Sequence, residues 1–226
     1  MLDWLPENIS TYGGDVDYLF RLIYYITAGS GALVLATLVY FLLRYRARPG
    51  GRALYYHGNT TLEIIWTLIP ALVFVLIGVL SGTVWSNIRQ TLPDTDLRVR
   101  VTASQFNWMM TYPGPDGRLD TADDYSQENL LRAPLDRPMR VVLTSKDVIH
   151  SFFLPNVRLK QDALPGRDIE VWFEPTKLGK YEIPCAELCG FGHSTMKGFL
   201  HVLSASDFAT WAQAKKAFPE ETTRHD

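Results

Sequence analysis

The chain has 226 residues, a net charge of −2 and 47% hydrophobic residues. This length and composition suit one globular domain together with membrane segments. The near-neutral charge gives no indication of a nucleic-acid or other polyanionic partner.

Two long apolar stretches lie near the start of the chain. Residues 22–43 and 64–86 carry no charged side chain and comprise roughly 22 and 23 residues. As helices rising about 1.5 Å per residue, both can cross a hydrocarbon core of about 30 Å. A buried core helix is the alternative for either stretch alone, but two in tandem favour a transmembrane hairpin in the lipid bilayer. We therefore predict a hairpin over residues 1–91, with helices at about residues 18–44 and 63–87.

The charges beside these stretches predict their orientation. Residues 1–17 carry only acidic charges, whereas the connection carries Arg44, Arg46, Arg48 and Arg52 and no acid before Glu63. By the positive-inside rule, the connection is cytoplasmic, and both termini lie on the outer side of an inner or plasma membrane. A basic first region and a short apolar core with a cleavage site are lacking, so we expect the first helix to act as an uncleaved insertion signal.

Residues 92–204 have the pattern of a β-domain on the outer side. Leu97, Val99 and Val101 alternate with polar side chains, and further β segments cover residues 141–144, 169–173, 181–183 and 199–203. Short strands separated by Gly and Pro turns are typical of a β-sandwich or barrel. Residues 206–218 predict a helix with Ser206 as its N-cap, within a C-terminal segment of helix and tail over residues 205–226.

The segment of residues 184–196 contains four side chains that could bind a metal ion. Cys185, Cys189, His193 and Met196 offer two thiolates, an imidazole and a thioether, a set that suits copper, zinc or iron. A disulfide would leave the histidine and methionine unexplained, and thioether is a poor ligand for zinc. Copper with a weak methionine ligand fits this set best. His150, which follows a predicted strand, is either a surface residue or a further ligand returned to the same corner.

These residues resemble the dinuclear copper (CuA) motif in subunit II of haem-copper cytochrome c oxidases. The resemblance covers nearly the whole chain, including segments 63–67 (Glu-Ile-Ile-Trp-Thr), 147–152 (Asp-Val-Ile-His-Ser-Phe) and 162–167 (Asp-Ala-Leu-Pro-Gly-Arg). It implies a transmembrane hairpin followed by a cupredoxin-like sandwich. It also implies an electron-accepting subunit of a proton-pumping terminal oxidase in a respiratory chain. Electrons from a cytochrome c or other haem c donor would pass to haem in subunit I, where oxygen is reduced to water.

The resemblance also assigns individual roles. The implied copper ligands are the bridging Cys185 and Cys189, one histidine for each copper in His150 and His193, the weak ligand Met196, and the backbone carbonyl of Glu187. The Glu187 side chain would reach a magnesium ion at the interface with subunit I. Glu63 matches a residue at the mouth of a proton pathway, although an acid at a membrane boundary is otherwise often an anchor.

The chain departs from the family where electrons usually arrive. The family commonly has Gln-Trp-aromatic-Trp, whereas this chain has Gln105-Phe106-Asn107-Trp108. Phe106 replaces the tryptophan that faces the donor. The electron-accepting residue is therefore Phe106 or Trp108, unless Trp108 packs within the sandwich.

An acidic loop is a further candidate metal site, and two other protein classes are alternatives to the oxidase subunit. Asp116, Asp120, Asp123 and Asp124 could bind calcium without the spacing of an EF-hand, or form a solvated hairpin tip. A membrane-anchored copper chaperone or thiol-disulfide protein should alternate strands with helices and would not need Met196. A quinol oxidase subunit would keep the hairpin and sandwich but lack the copper ligands.

Overall fold

The computed structural model describes residues 5–52 and 55–217. Within these ranges the chain forms two compact units, residues 15–88 and a β-domain that joins the described residues before 15 to residues 89–217. The helices are α1 (Gly13–Arg44), α2 (Thr60–Arg89) and α3 (Ala205–Ala217). The strands are β1 (Arg98–Ser104), β2 (Asn107–Tyr112), β3 (Tyr125–Glu128), β4 (Leu130–Pro134), β5 (Met139–Ser145), β6 (His150–Leu154), β7 (Leu159–Ala163), β8 (Ile169–Phe173), β9 (Gly179–Pro184) and β10 (Lys197–Leu203).

Helices α1 and α2 are long and apolar enough to cross a membrane. Both begin before the predicted positions, α1 at Gly13 and α2 at Thr60. Asn59 caps α2, because its side-chain oxygen accepts a hydrogen bond from the Leu62 amide at 3.1 Å. The large apolar side chains of α1 and α2 are mostly exposed within this chain. Such surfaces are expected to be covered by lipid or by other membrane helices.

The β-domain is a sandwich assembled from three groups of strands. One sheet has the order β3-β2-β1-β5-β8, a second has the order β4-β10-β9, and β6 pairs with β7. In β1, Val99, Val101 and Ala103 are buried while the residues between them are not, as the alternation predicts. The core includes the buried side chains of Val101, Trp108, Met110, Leu131, Val141, Leu143, Phe152, Phe173, Ile183 and Leu200.

Residues 6–12, here called the N-terminal strap, belong to the β-domain although they precede α1. The Ile9 amide donates to the Asn156 carbonyl at 2.9 Å, and the Ile9 carbonyl accepts from the Thr176 amide at 2.8 Å. The buried Ser10 hydroxyl donates to the Val157 carbonyl at 2.8 Å. This contact could not be predicted from the sequence, because the strap is too short and irregular to show the two-residue period of a strand.

Helix α3 begins one residue earlier than predicted, and its cap is different. The Ser204 hydroxyl accepts a hydrogen bond from the Asp207 amide at 3.1 Å, so Ser204 caps the helix and the assignment of Ser206 was wrong. Phe208 is buried, and the ring of Trp211 packs against Tyr112 with centroids 5.0 Å apart. Residues 218–226, which include the predicted tail, lie outside the described residues.

Candidate metal centre

The loop of residues 185–196 connects two paired strands, β9 and β10. In their antiparallel register Pro184 lies opposite Lys197, and the Cys185 amide donates to the Met196 carbonyl at 3.1 Å. The strand pair thus closes the base of the loop and fixes its first and last ligand residues side by side. A short 3₁₀ turn over His193–Thr195 brings the loop back to β10.

His150 reaches this loop because β6 lies against its first residues. Phe152 forms a β-bridge with Cys185, and the Ala186 amide donates to the Ser151 carbonyl at 2.9 Å. His150 is the first residue of β6 and is fully buried. Its ring packs edge-on against Trp108, with centroids 6.1 Å apart. The pairing therefore places a histidine distant in sequence beside the cysteines.

The sulfur and nitrogen atoms form two pairs. The Cys185 Sγ lies 3.9 Å from His150 Nδ1, and the Cys189 Sγ lies 3.6 Å from His193 Nδ1. The two sulfurs are 3.9 Å apart and both cysteines are free thiols, so the disulfide alternative is not formed. Among the described residues, the ligand atoms of His150, Cys185 and Cys189 form a group within 4.8 Å of one another that could hold a metal.

Each sulfur also has one weaker donor beside it. The Glu187 carbonyl oxygen lies 3.3 Å from Cys185 Sγ, and the Met196 Sδ lies 3.8 Å from Cys189 Sγ. Cys185, Cys189 and Met196 are buried, whereas the Glu187 residue is exposed. Buried soft donors of this kind fit copper, since thiolate, thioether and imidazole are its preferred ligands. An enclosed metal with this ligand set is suited to exchange electrons and not to bind a substrate.

Electrostatics favour the protonated thiol in the absence of metal. Burial, and then the neighbouring Cys185, raise the pKa of Cys189 to about 11. Since a metal binds the thiolate, its uptake must release this proton. Metal affinity at the site should therefore increase as the pH rises.

Asp147 holds the imidazole of His150 from its other side. The His150 Nε2 lies 2.8 Å from Asp147 Oδ1, and the Asp147 carboxylate also accepts from the amides of Gln105 and Val148. Partial burial acts to raise the pKa of Asp147, but the hydrogen bonds from His150 and the two amides outweigh it and lower the pKa. This role of Asp147 was not predicted from the sequence, although an acid three residues before a ligand histidine could have indicated it.

The turn between β1 and β2 lies over the loop of residues 185–196, here called the metal loop. The Gln105 side-chain amide donates to the Cys189 carbonyl at 2.5 Å, a contact that the sequence did not predict. Gly190 has a φ of 133°, and a Cβ there would come within 2.7 Å of the Gln105 amide nitrogen. A Cβ on Gly192 would lie 2.5 Å from the Phe106 ring. The two glycines therefore allow the ring to rest on the loop backbone.

The two candidate electron-accepting aromatics differ in exposure. Phe106 is 37% exposed, whereas Trp108 is fully buried. Trp108 packs edge-on against Phe152 with centroids 5.4 Å apart, which corresponds to the packing alternative for this residue.

The remaining candidate residues belong to other segments of the chain. Glu63 is in the first turn of α2, where its carbonyl accepts from the Thr67 hydroxyl at 2.8 Å. In the acidic loop, Asp123 accepts from the Thr121 hydroxyl at 2.6 Å, and Asp120 forms an ion pair with Arg100 at 2.8 Å. Among the described residues, the acidic side chains of this loop do not form a group with the geometry of a metal site.

Comparisons with known proteins agree with this arrangement. Residues 4–84 match the transmembrane domain of cytochrome c oxidase subunit II, and residues 119–202 match its periplasmic domain. The chain is 30% identical to an alternative cytochrome c oxidase subunit 2 from Bradyrhizobium diazoefficiens, over 95% of this chain and 84% of the relative. It is 31% identical to a probable cytochrome c oxidase subunit 2 from Rickettsia felis, over 89% of this chain and 68% of the relative.

A solved structure supports the fold. The periplasmic domain of subunit II of cytochrome oxidase from Bradyrhizobium japonicum aligns with a TM-score of 0.51 and 30% identity, over 57% of this chain and all of that domain. The predicted fold class, a two-helix hairpin followed by a cupredoxin-like sandwich, is confirmed, as is a membrane protein with a periplasmic domain. The chaperone alternative is not favoured. The chain belongs to the cytochrome c oxidase subunit II family, and its role is that of the electron-accepting subunit of an oxidoreductase complex.

Proposed function

We propose that the loop and His150 hold two copper ions in a dinuclear CuA centre. The observation that carries the proposal is the paired arrangement of donors: each thiol has its own imidazole, and each has one weak donor beside it. Cys185 and Cys189 would bridge the ions. His150 and His193 would each serve one copper, and Met196 and the Glu187 carbonyl would complete the ligand set.

The protein residues then set the conditions for electron transfer. Copper supplies one-electron redox chemistry when bound. Burial of Cys185, Cys189 and Met196 excludes water from the donors, and the β9–β10 pair holds the ends of the loop. A rigid, enclosed ligand set changes little between oxidation states, so little reorganisation opposes electron transfer. Electrons from a cytochrome c or haem c domain would pass through this site to haem in subunit I, where oxygen is reduced.

Metal content and spectroscopy of the purified oxidase test this function. We expect two coppers bound by this chain and the paramagnetic resonance spectrum of one unpaired electron shared between them. Cys185→Ser and Cys189→Ser should each abolish that spectrum. One copper, or a spectrum of an isolated cupric ion, would contradict the proposal.

Phe106 is the residue that we propose to receive the electron at the surface. Its ring is partly exposed and rests on Gly192, within the loop that carries the ligands. Trp108 is fully buried and can act only behind this surface, in the packing around His150.

The Glu187 side chain is proposed to bind a magnesium ion shared with subunit I. Its carbonyl faces Cys185 while the residue as a whole is exposed, so one residue can serve the copper and a second cation. Glu187→Gln should leave the copper spectrum in place and lower the occupancy of manganese substituted for magnesium in the oxidase. Unchanged manganese occupancy would remove this role.

Glu63 is proposed to admit protons to subunit I from the cytoplasmic side. It lies in the first turn of α2, next to the basic connection. Glu63→Ala should slow oxidase turnover without changing the copper spectrum. Turnover equal to that of the wild-type enzyme would exclude the role.

The proposed topology places both termini on the outer side. Contact between the N-terminal strap and the β-domain supports it, because two segments joined by hydrogen bonds must lie on the same side of the membrane. The cytoplasmic position of the arginine-rich connection follows. Labelling of a cysteine introduced at Ser206 in intact cells, but not of one introduced at Gly51, would be the expected result. The reverse pattern would overturn the topology.

Calcium at residues 116–124 stays a prediction. The acidic side chains there already accept hydrogen bonds from the Thr121 hydroxyl and from backbone amides, and Asp120 forms an ion pair with Arg100. A calcium titration followed by thermal unfolding tests it, since a bound ion raises the unfolding temperature.

A further inference from the structure

The two cysteines of the metal loop differ in how their backbone is held. Cys185 directly follows β9, and its amide donates to the Met196 carbonyl at 3.1 Å. Cys189 lies in the middle of the loop, away from the strand pair. Within the described part of the chain, the backbone of residues 187–192 has one hydrogen bond to a residue outside the loop, and that residue is Gln105.

The side chain of Gln105 fixes the peptide group that follows Cys189. Its amide donates to the Cys189 carbonyl at 2.5 Å, and it can approach so closely because Gly190 has no Cβ. A fixed peptide group limits the directions that the Cys189 side chain can take. The Cys189 Sγ is thereby kept 3.9 Å from Cys185 Sγ and 3.6 Å from His193 Nδ1.

The backbone of Gln105 reaches the other half of the ligand set. Its amide donates to Asp147 Oδ2 at 2.7 Å, and the second oxygen of that carboxylate lies 2.8 Å from His150 Nε2. His150 belongs to β6 and not to the metal loop. One residue therefore connects His150, through Asp147, with Cys189.

The neighbouring amide side chain, that of Asn107, makes different contacts. Its oxygen accepts from the Ser104 hydroxyl at 2.5 Å, and its nitrogen donates to the Glu128 carboxylate at 3.0 Å. Both partners lie in the same sheet as Asn107. Gln105 itself is an exposed residue, so its single side-chain hydrogen bond contributes little to the stability of the whole domain.

We propose that Gln105 is a positioning residue of the copper centre, which holds Cys189 in place relative to His150 and raises the reduction potential of the centre. This inference rests on the proposed two-copper function. The N–H end of the Gln105 side-chain amide carries a partial positive charge and points at the metal loop. A site that gains an electron gains negative charge, so a positive dipole beside it favours the reduced form.

Redox titration of the two-copper spectrum in the intact purified oxidase tests the effect on the potential. Gln105→Leu removes the donor, whereas Gln105→Glu keeps the shape of the side chain and places a carboxylate there at neutral pH. The reduction potential should fall in Gln105→Leu and fall further in Gln105→Glu. A side chain that only packed would give the opposite order, because glutamate is closer than leucine to glutamine in shape.

Two control variants separate this effect from general ones. Gln127→Leu is the same substitution on β3, where the Gln127 oxygen accepts from Arg132 and not from the metal loop. Asn107→Ala changes the same turn without removing the bond to Cys189. Both variants should have the reduction potential of the wild-type oxidase.

Competition with a copper chelator measures the positioning effect. Gln105→Leu should lower the copper affinity about fivefold, the effect of one lost hydrogen bond. Asp147→Asn has one acceptor oxygen where the carboxylate has two, so it cannot accept from both the Gln105 amide and His150 as the wild type does. Since either change separates the two halves of the ligand set, the loss of affinity in the double variant should be smaller than the product of the single losses.

Three results would overturn the proposal. They are wild-type potentials in both Gln105 variants, a lower potential in Gln105→Leu than in Gln105→Glu, and a loss of affinity in the double variant equal to the product of the single losses. The last result would show that the contacts of Gln105 and Asp147 act separately. Absence of the two-copper spectrum from the wild-type oxidase would instead refute the proposed function, and this inference with it.

Discussion

Asp147 and Cys185 lie at opposite nitrogens of one imidazole, that of His150. The Nε2 atom is 2.8 Å from the Asp147 carboxylate, while the Nδ1 atom faces Cys185 Sγ at 3.9 Å. With the Nε2 proton donated to Asp147, the Nδ1 lone pair is free to bind a metal. The carboxylate therefore fixes both the tautomer and the orientation of this ligand.

Replacement of Asp147 by asparagine should weaken copper binding. The amide keeps the size of the side chain but removes the charge that increases the basicity of His150. Losses for such partners of ligand histidines are roughly 10- to 100-fold in metal affinity. Competition titration with a copper chelator measures the effect. Asp96→Asn, at an exposed ion pair with Arg137, serves as the control, and equal affinities in both variants would contradict the assigned role.

Met196 and Met110 allow a comparison of two buried methionines. Met196→Leu should retain copper but change its absorption spectrum and reduction potential, because the thioether beside Cys189 is lost. Met110→Leu, in the sandwich core, should leave both unchanged. Each substitution conserves volume and should cost less than about 1.5 kcal/mol of stability. Identical redox titrations of the two variants would show that Met196 only packs.

The N-terminal strap should contribute measurably to the stability of the β-domain. Ile9 is fully buried, and Ile9→Ala is expected to cost roughly 2–5 kcal/mol through lost burial and the cavity left behind. Thermal unfolding followed by near-ultraviolet circular dichroism measures the decrease. Leu178→Ala, at an exposed position, should change the unfolding temperature little. A small effect at Ile9 would mean that the strap does not pack as described.

The ion pair of Asp168 with Arg100 should make stability depend on acid pH. The hydrogen bond from Arg100 lowers the pKa of Asp168. The pair therefore stabilises the fold at pH values above the ordinary carboxyl pKa of about 3.9. This contribution is lost as the pH falls through the lowered pKa. Because the Asp168 side chain is 53% exposed, solvent screens the pair, which is worth about 1 kcal/mol or less. Unfolding temperatures should therefore fall more steeply below about pH 3.9 for wild type than for Asp168→Asn, and parallel curves would refute the assignment.

Local patterns in the sequence predict the membrane helices and the loop of metal ligands. The hairpin followed from two uncharged stretches, and the metal loop from four ligand residues within a short segment. The family resemblance added His150, whose position depends on a strand pairing that spacing alone does not define. The bounds of five strands, β2, β3, β4, β6 and β7, were not predicted. In β3, three of the four side chains are polar and hide the alternation.

Contacts between distant segments could not be predicted from local sequence patterns. The hydrogen bond from Gln105 to Cys189 joins residues 84 positions apart, and neither residue type signals the other. The same holds for Ile9, whose partners Asn156 and Thr176 follow it by more than a hundred positions. Ser206 was predicted as the N-cap of α3 in place of Ser204, because either serine satisfies the residue preference for that position.

The N-terminal strap also has a consequence for the order of assembly in the cell. Residues 6–12 belong to a domain whose other residues are synthesised after both membrane helices. In the topology proposed above, the strap reaches the outer side before the residues that it contacts, which lie between 156 and 176. We therefore expect the strap to pack only after those residues have been translocated, so that closure of the domain is a late step in the synthesis of the chain.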